Sequence, residues 1–135
     1  MKGKDIYRSL FNYGLIIFLV IFTPACNNPE RQLIGSWKMV EYKINGNDEP
    51  EEIKVAWVFY EDGRFSQTLS IPDKGSSDEA LWSFDPDGMK ITLNYINKRS
   101  EVIWNVVRLG DDILRVEYEI PGFFVEREFE KANQQ

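Results

Sequence analysis

From Gly35 onward the chain alternates between apolar and polar residues in short runs, each cut by Gly, Asp, Asn or Pro. Leu114-Arg115-Val116-Glu117-Tyr118 shows the pattern in its plainest form. A period of two marks a strand with one buried face. The runs are rich in Val, Ile, Phe, Tyr and Trp, and they predict eight strands, over about 35–45, 54–60, 64–71, 79–84, 89–96, 101–109, 113–120 and 123–131. Helical character is confined to residues 29–34 (PERQLI), where Pro29 can open a single turn. Connections are short except at 46–53 (GNDEPEEI) and 72–78 (PDKGSSD).

Two turns predict antiparallel registers. In FYEDGRF, a three-residue loop Glu61-Asp62-Gly63 with a left-handed Gly63 sets Phe59 opposite Phe65, Trp57 opposite Gln67 and Val55 opposite Leu69. At Pro121-Gly122, pairing Ile120 with Phe123 sets Tyr118 against Val125, Val116 against Arg127 and Leu114 against Phe129. Arg115 then meets Glu128 on the opposite face. One face is apolar and the other charged, as a half-solvated sheet requires. Consecutive strands with one wet face hide their edges by closing into a barrel. The expected fold is therefore all-β, an eight-stranded antiparallel up-and-down barrel with a short N-terminal helical turn. A barrel of eight strands is filled by side chains or holds one small ligand.

The first 26 residues follow another logic. Lys2, Lys4 and Arg8 give a positive start, Leu15 to Phe22 is an unbroken apolar run, and Ala25 is a small residue before a cut. This is the layout of a secretory signal peptide, and the run is too short for a spanning helix. Thr23-Pro24-Ala25-Cys26 resembles the lipobox of bacterial lipoproteins, with Thr23 where that family usually has leucine. The resemblance implies that Cys26 takes a diacylglycerol and that its new amino group is acylated, palmitate being the implied chain. Several acyl chains hold a protein on a membrane where one is marginal. Asn27 is not the aspartate that retains enterobacterial lipoproteins at the inner membrane, so the resemblance points to the outer membrane. The alternative is an ordinary secretory peptide that leaves Cys26 a free thiol. The expected division is a lipoprotein signal peptide over 1–25, a lipidated terminus and tether over 26–32, a barrel over 33–131 and a tail over 132–135.

The chain of 135 residues contains no histidine, and Cys26 is its only cysteine. Internal disulfides, Cys/His zinc sites and histidine-activated nucleophiles are excluded. Axial histidine ligation of haem is excluded too. Removing residues 1–25 takes away three cations and one anion, so the net charge moves from -6 to -8. That sign disfavours nucleic acid as a partner. No cofactor or metal is implied: the spacing at Asp85-Pro86-Asp87-Gly88 fits a tight hairpin better than a calcium loop.

Gly35-Ser36-Trp37 is similar to the G-x-W that opens the first strand of lipocalins, where a short helical turn precedes it. Together with FYEDGRF and VVRLGDDILRV, the mature chain resembles the small lipocalin-like lipoproteins common in Bacteroidetes. Lipocalins carry a last-strand arginine that stacks on the G-x-W tryptophan at the closed end. The resemblance implies that Gly35, Trp37 and Arg127 close the base of this barrel. Stacking on Trp37 would also give an inward Arg127 a physical reason to be buried.

The candidates to line a ligand cavity are Trp57, Phe59, Phe65, Gln67, Trp82, Tyr95, Trp104 and Tyr118, with Phe84 beside them. The competing reading is that these aromatics simply fill the barrel. Gln67 and Asn105 need a partner if they point inward, and Asn105 alternates with Trp104, so one of that pair faces out. Glu117, Glu126, Glu128 and Glu130 fall on the outer face. Residues 49–53 (EPEEI) form an acidic loop that could sit at the mouth and oppose anionic ligands. The leading expectation is a monomeric, membrane-anchored, lipocalin-like protein that binds a small, mostly apolar ligand and is not an enzyme. The alternative is an accessory or inhibitor lipoprotein with a filled barrel, which binds a protein or glycan through its outer surface or loops.

Overall fold

The computed structural model describes residues 28–133, so Cys26 and the apolar run before it lie outside the described residues. A single helical turn, α1 (Pro29–Leu33), opens the described chain. Asn28 caps it by accepting a hydrogen bond from the Glu30 amide at 3.1 Å, and Pro29 occupies the first turn, where no amide donor is needed.

The strands follow in order: β1 (Gly35–Ile44), β2 (Asn47–Asp48), β3 (Lys54–Phe59), β4 (Arg64–Ile71), β5 (Lys74–Asp85), β6 (Lys90–Tyr95), β7 (Ser100–Leu109), β8 (Ile113–Ile120) and β9 (Phe123–Lys131). Setting aside the two-residue β2, each long strand pairs antiparallel with the next, and β1 pairs with β9 to close an eight-stranded barrel. Closure leaves the long strands without a free edge. The predicted registers hold. Phe59, Trp57 and Val55 face Phe65, Gln67 and Leu69, while Ile120, Tyr118, Val116 and Leu114 face Phe123, Val125, Arg127 and Phe129. Gly63 adopts φ 89° in the expected three-residue loop, with the Tyr60 amide donating to the Arg64 carbonyl at 2.9 Å.

Both of the longer expected connections contain strand. Residues 74–78 pair with Ile71–Gln67 and belong to β5, joined to β4 by the two-residue link Pro72-Asp73. The polar run Lys74-Gly75-Ser76-Ser77-Asp78 has low strand propensity, and pairing to β4 overrides it. Residues 47–48 fold back on β1 as β2, with Lys43 opposite Asp48.

A bulge in β1 between Met39 and Glu41 changes which residues face inward. Below it Trp37 and Met39 point into the barrel; above it Tyr42 pairs with Arg127 and Ile44 with Val125, while Val40 is 47% exposed. The extra residue reverses the alternation, as bulges do. β1 pairs with β3 only from Gly35 to Lys38. Beyond that point the strands separate, and a groove of about 540 Å³ opens between them, lined by Met39, Tyr42, Glu49, Ile53 and neighbours.

The two ends of the barrel differ. At one end α1 and the turns after β3, β5 and β7 meet the beginning of β1 and the end of β9. Leu33, Trp37, Phe59, Phe65, Trp82, Ile91, Leu114 and Phe129 are buried within this closed half. Phe59 meets Phe65 at 5.1 Å and Trp82 at 5.2 Å between ring centroids. The indoles satisfy their polar atoms locally: Trp37 Nε1 donates to the Leu33 carbonyl at 2.8 Å, and Trp82 Nε1 to the Tyr60 carbonyl at 2.9 Å. At the other end, inward residues Tyr42, Gln67, Leu69, Tyr95, Val102, Tyr118, Val125 and Arg127 are only partly buried. The base is packed solid, and burial falls off toward the other end.

Candidate functional site

Trp57 and Trp104 form the floor of the upper interior. Trp57 is fully buried, stacks on Phe129 with centroids 4.3 Å apart, and meets Trp104 edge-on at 5.4 Å. Its Nε1 donates to Gln67 Oε1 at 2.8 Å. Gln67, directly across from Trp57 in the β3–β4 ladder, thus points inward and spends its carbonyl on the indole. Asn105 faces out and is exposed, as its alternation with buried Trp104 requires.

Tyr118 continues the wall, 5.3 Å from Trp104. Tyr95 lies farther up, where burial first and the Asp78 charge second hold its phenol above the usual range, against an opposing pull from Arg127. Asp78 pairs with Lys98 at 3.1 Å, and the Lys98 ammonium lies 5.8 Å from the Tyr95 ring centroid. At neutral pH Tyr95 therefore offers a neutral hydroxyl.

Of the eight proposed cavity residues, Phe59, Phe65 and Trp82 belong to the packed base. Trp57 and Trp104 make the floor, and Gln67, Tyr95 and Tyr118 border the open half. Phe84 packs against the core as a partly buried neighbour. Tyr42 was not legible as an inward residue, because strict alternation from Trp37 turns it outward. Only the bulge brings it in.

The expected role of Arg127 is corrected. Its guanidinium does not stack on Trp37. Lys131 does so instead, with Nζ 5.0 Å from the ring centroid and donating to the Gln32 carbonyl at 2.9 Å. The β1–β9 ladder sets Trp37 opposite Lys131, and Arg127 lies four residues farther along β9, about 13 Å away at the usual strand rise. Gly35 makes room for the lysine: at φ 126°, a Cβ there would lie 3.0 Å from Lys131 Cε. Arg127 instead sits among Tyr42, Trp104 and Trp57, its guanidinium carbon 5.0, 5.1 and 6.0 Å from their ring centroids.

Carboxylates do not gather inside. Arg115 pairs with Glu126 at 2.7 Å, diagonal to its ladder partner Glu128, on the outer face. Among the described residues no group of three or more His, Cys, Asp or Glu could hold a metal ion. In the Asp85–Gly88 hairpin, Asp85 Oδ1 accepts from the Asp87 amide at 3.0 Å, which engages one of its oxygens in the turn itself.

A closed eight-stranded antiparallel barrel with a packed base and a G-x-W at its first strand is the architecture of lipocalin-like proteins. A family model for a lipocalin-like domain matches residues 33–116, and the chain belongs to that family. The match ends within β8, before the strand that carries Arg127 and Lys131. No curated protein matches the chain.

Proposed function

We propose that this protein is a membrane-anchored, non-enzymatic carrier or sensor that holds a small, mostly apolar molecule in the upper half of its barrel. The observation that carries the reading is the contrast between the two halves. Aromatic side chains fill the base, whereas above buried Trp57 and Trp104 the inward tyrosines Tyr42, Tyr95 and Tyr118 are only partly buried. Apolar walls with a few polar groups are what small-molecule sites require.

The fold also supports a particular orientation on the membrane. Asn28, the first described residue, lies at the packed end beside α1. A lipid on Cys26 would leave two residues of tether, spanning at most about 7 Å. The anchor then holds the packed base toward the bilayer, and the mouth opens away from it. The lipoprotein resemblance at Cys26 and Asn27 supports anchoring in the cell envelope, at the outer membrane.

A second reading is docking of a protein or glycan on the rim. It is favoured by Ile96, 64% exposed, and Phe123, 52% exposed, at hairpins on the open end. Native mass spectrometry of residues 27–135, produced in the host of origin and purified without detergent, separates the two. A discrete adduct lost on organic extraction supports the carrier. A clean unliganded mass across several growth conditions turns the search to pull-downs with the rim.

A further inference from the structure

Arg127 is an inward cation without an anion. No carboxylate lies within 4.0 Å of its guanidinium among the described residues; the ion pairs there are Lys43 with Glu41 and Asp48, Arg64 with Asp62, Lys98 with Asp78, and Arg115 with Glu126. Its Nε is buried and has no hydrogen-bond partner. The three surrounding rings stabilise the charge through their faces, but an aromatic face does not replace an oxygen acceptor for the five N–H donors of a guanidinium. Two oxygen-bearing groups of the same half are engaged elsewhere: the Gln67 carbonyl accepts from Trp57 and the Asp78 carboxylate pairs with Lys98. A purely structural arginine in such a place would be expected to meet a protein oxygen, because a half-buried unpaired cation is unfavourable.

We propose that Arg127 is the anion-recognition residue of the barrel, and that the molecule held in the upper interior is an amphiphile carrying a single carboxylate. This rests on the small-ligand reading above and narrows its chemistry. With Nε covered, the two terminal nitrogens present an end-on pair of donors that fits the two oxygens of a carboxylate. The apolar body lies against Trp104 and Tyr118, whose rings border the same space. A single negative charge matches a single guanidinium. A multiply charged head group would be opposed by Glu49 and Glu51 along the groove beside Tyr42 and by the chain's negative net charge.

The test compares octanoate with octanol, which share a chain and differ in the head group. Binding is measured by equilibrium dialysis on the full chain as its host processes it, held in lipid nanodiscs, with empty discs as the blank. Wild type is expected to bind octanoate at least about tenfold more tightly than octanol, and Arg127→Met to lose that preference while keeping octanol affinity within about twofold. Arg127→Lys, which keeps the charge but not the two-point geometry, retains a reduced preference and keeps the test decisive if the Met variant does not fold. Equal affinity of wild type for acid and alcohol, or unchanged octanoate binding by folded Arg127→Met, overturns the role of Arg127 and leaves the small-ligand reading standing. Binding of neither molecule overturns both.

Discussion

Lys131 reaches across Gly35 to lie over Trp37, its ammonium 5.0 Å from the ring centroid and bonded to the carbonyl of Gln32. The last residue of β9 thereby ties the helical turn α1 and the start of β1 into one closed base. A buried indole, an ammonium and a helix carbonyl are joined by a single flexible side chain.

Loss of Lys131 should loosen that base. Lys131→Ala removes a cation–π contact and a charged hydrogen bond, and is expected to destabilise the barrel by about 1–3 kcal/mol. Arg127→Met, which removes a cation with an unpartnered nitrogen, should stay within about 1 kcal/mol of wild type because relief of that penalty offsets the lost ring contacts. Urea unfolding of both variants checks the contrast. Equal losses would mean that Arg127 has a structural role like that of Lys131.

The glycine of the G-x-W is required by the lysine as well as by its own backbone. Gly35→Ala places a Cβ 3.0 Å from Lys131 Cε at a φ of 126°. The expected cost is about 1–3 kcal/mol. Because part of that cost comes from displacing Lys131, Gly35→Ala and Lys131→Ala together should destabilise by less than the sum of the single changes. A double-mutant cycle in urea reads the coupling directly.

Gln67 is a polar residue that the floor needs. Replacing it with leucine adds apolar surface but strands the Trp57 indole N–H, and should cost about 1–3 kcal/mol. The indole proton of Trp57 is expected to shift upfield in a ¹H–¹⁵N spectrum as its hydrogen bond is lost. An unshifted indole resonance together with unchanged stability would show that this hydrogen bond contributes nothing.

Alkaline pH should weaken the upper barrel through Tyr95. Its phenol is held above the ordinary value near 10, so the folded state keeps the proton longer than the unfolded chain does. The stabilisation is fully present below the unfolded pKa and is lost as pH rises through the folded one. Stability measured from pH 9 upward should fall less steeply in Tyr95→Phe than in wild type. Identical slopes would show that Tyr95 titrates as a free phenol.

Alternation and turn chemistry act over a few residues, so most of the strands, the closure and the hairpin registers at Glu61–Gly63 and Pro121-Gly122 could be read from the sequence. It also placed Trp57 across from Gln67 and Val116 across from Arg127. The polar half of β5 was hidden because Lys74–Asp78 becomes strand only by pairing with β4. Which cation meets Trp37 was decided by tertiary structure alone. That choice depends on the β1–β9 register, which joins residues roughly ninety positions apart, and on the bulge between Met39 and Glu41. The same bulge turns Tyr42 inward against Arg127. A local pattern records which face a strand buries, but not where a distant strand stops along it. Lys131 therefore takes the place at Trp37 that the family resemblance implied for Arg127, and Arg127 is left facing the other half of the barrel.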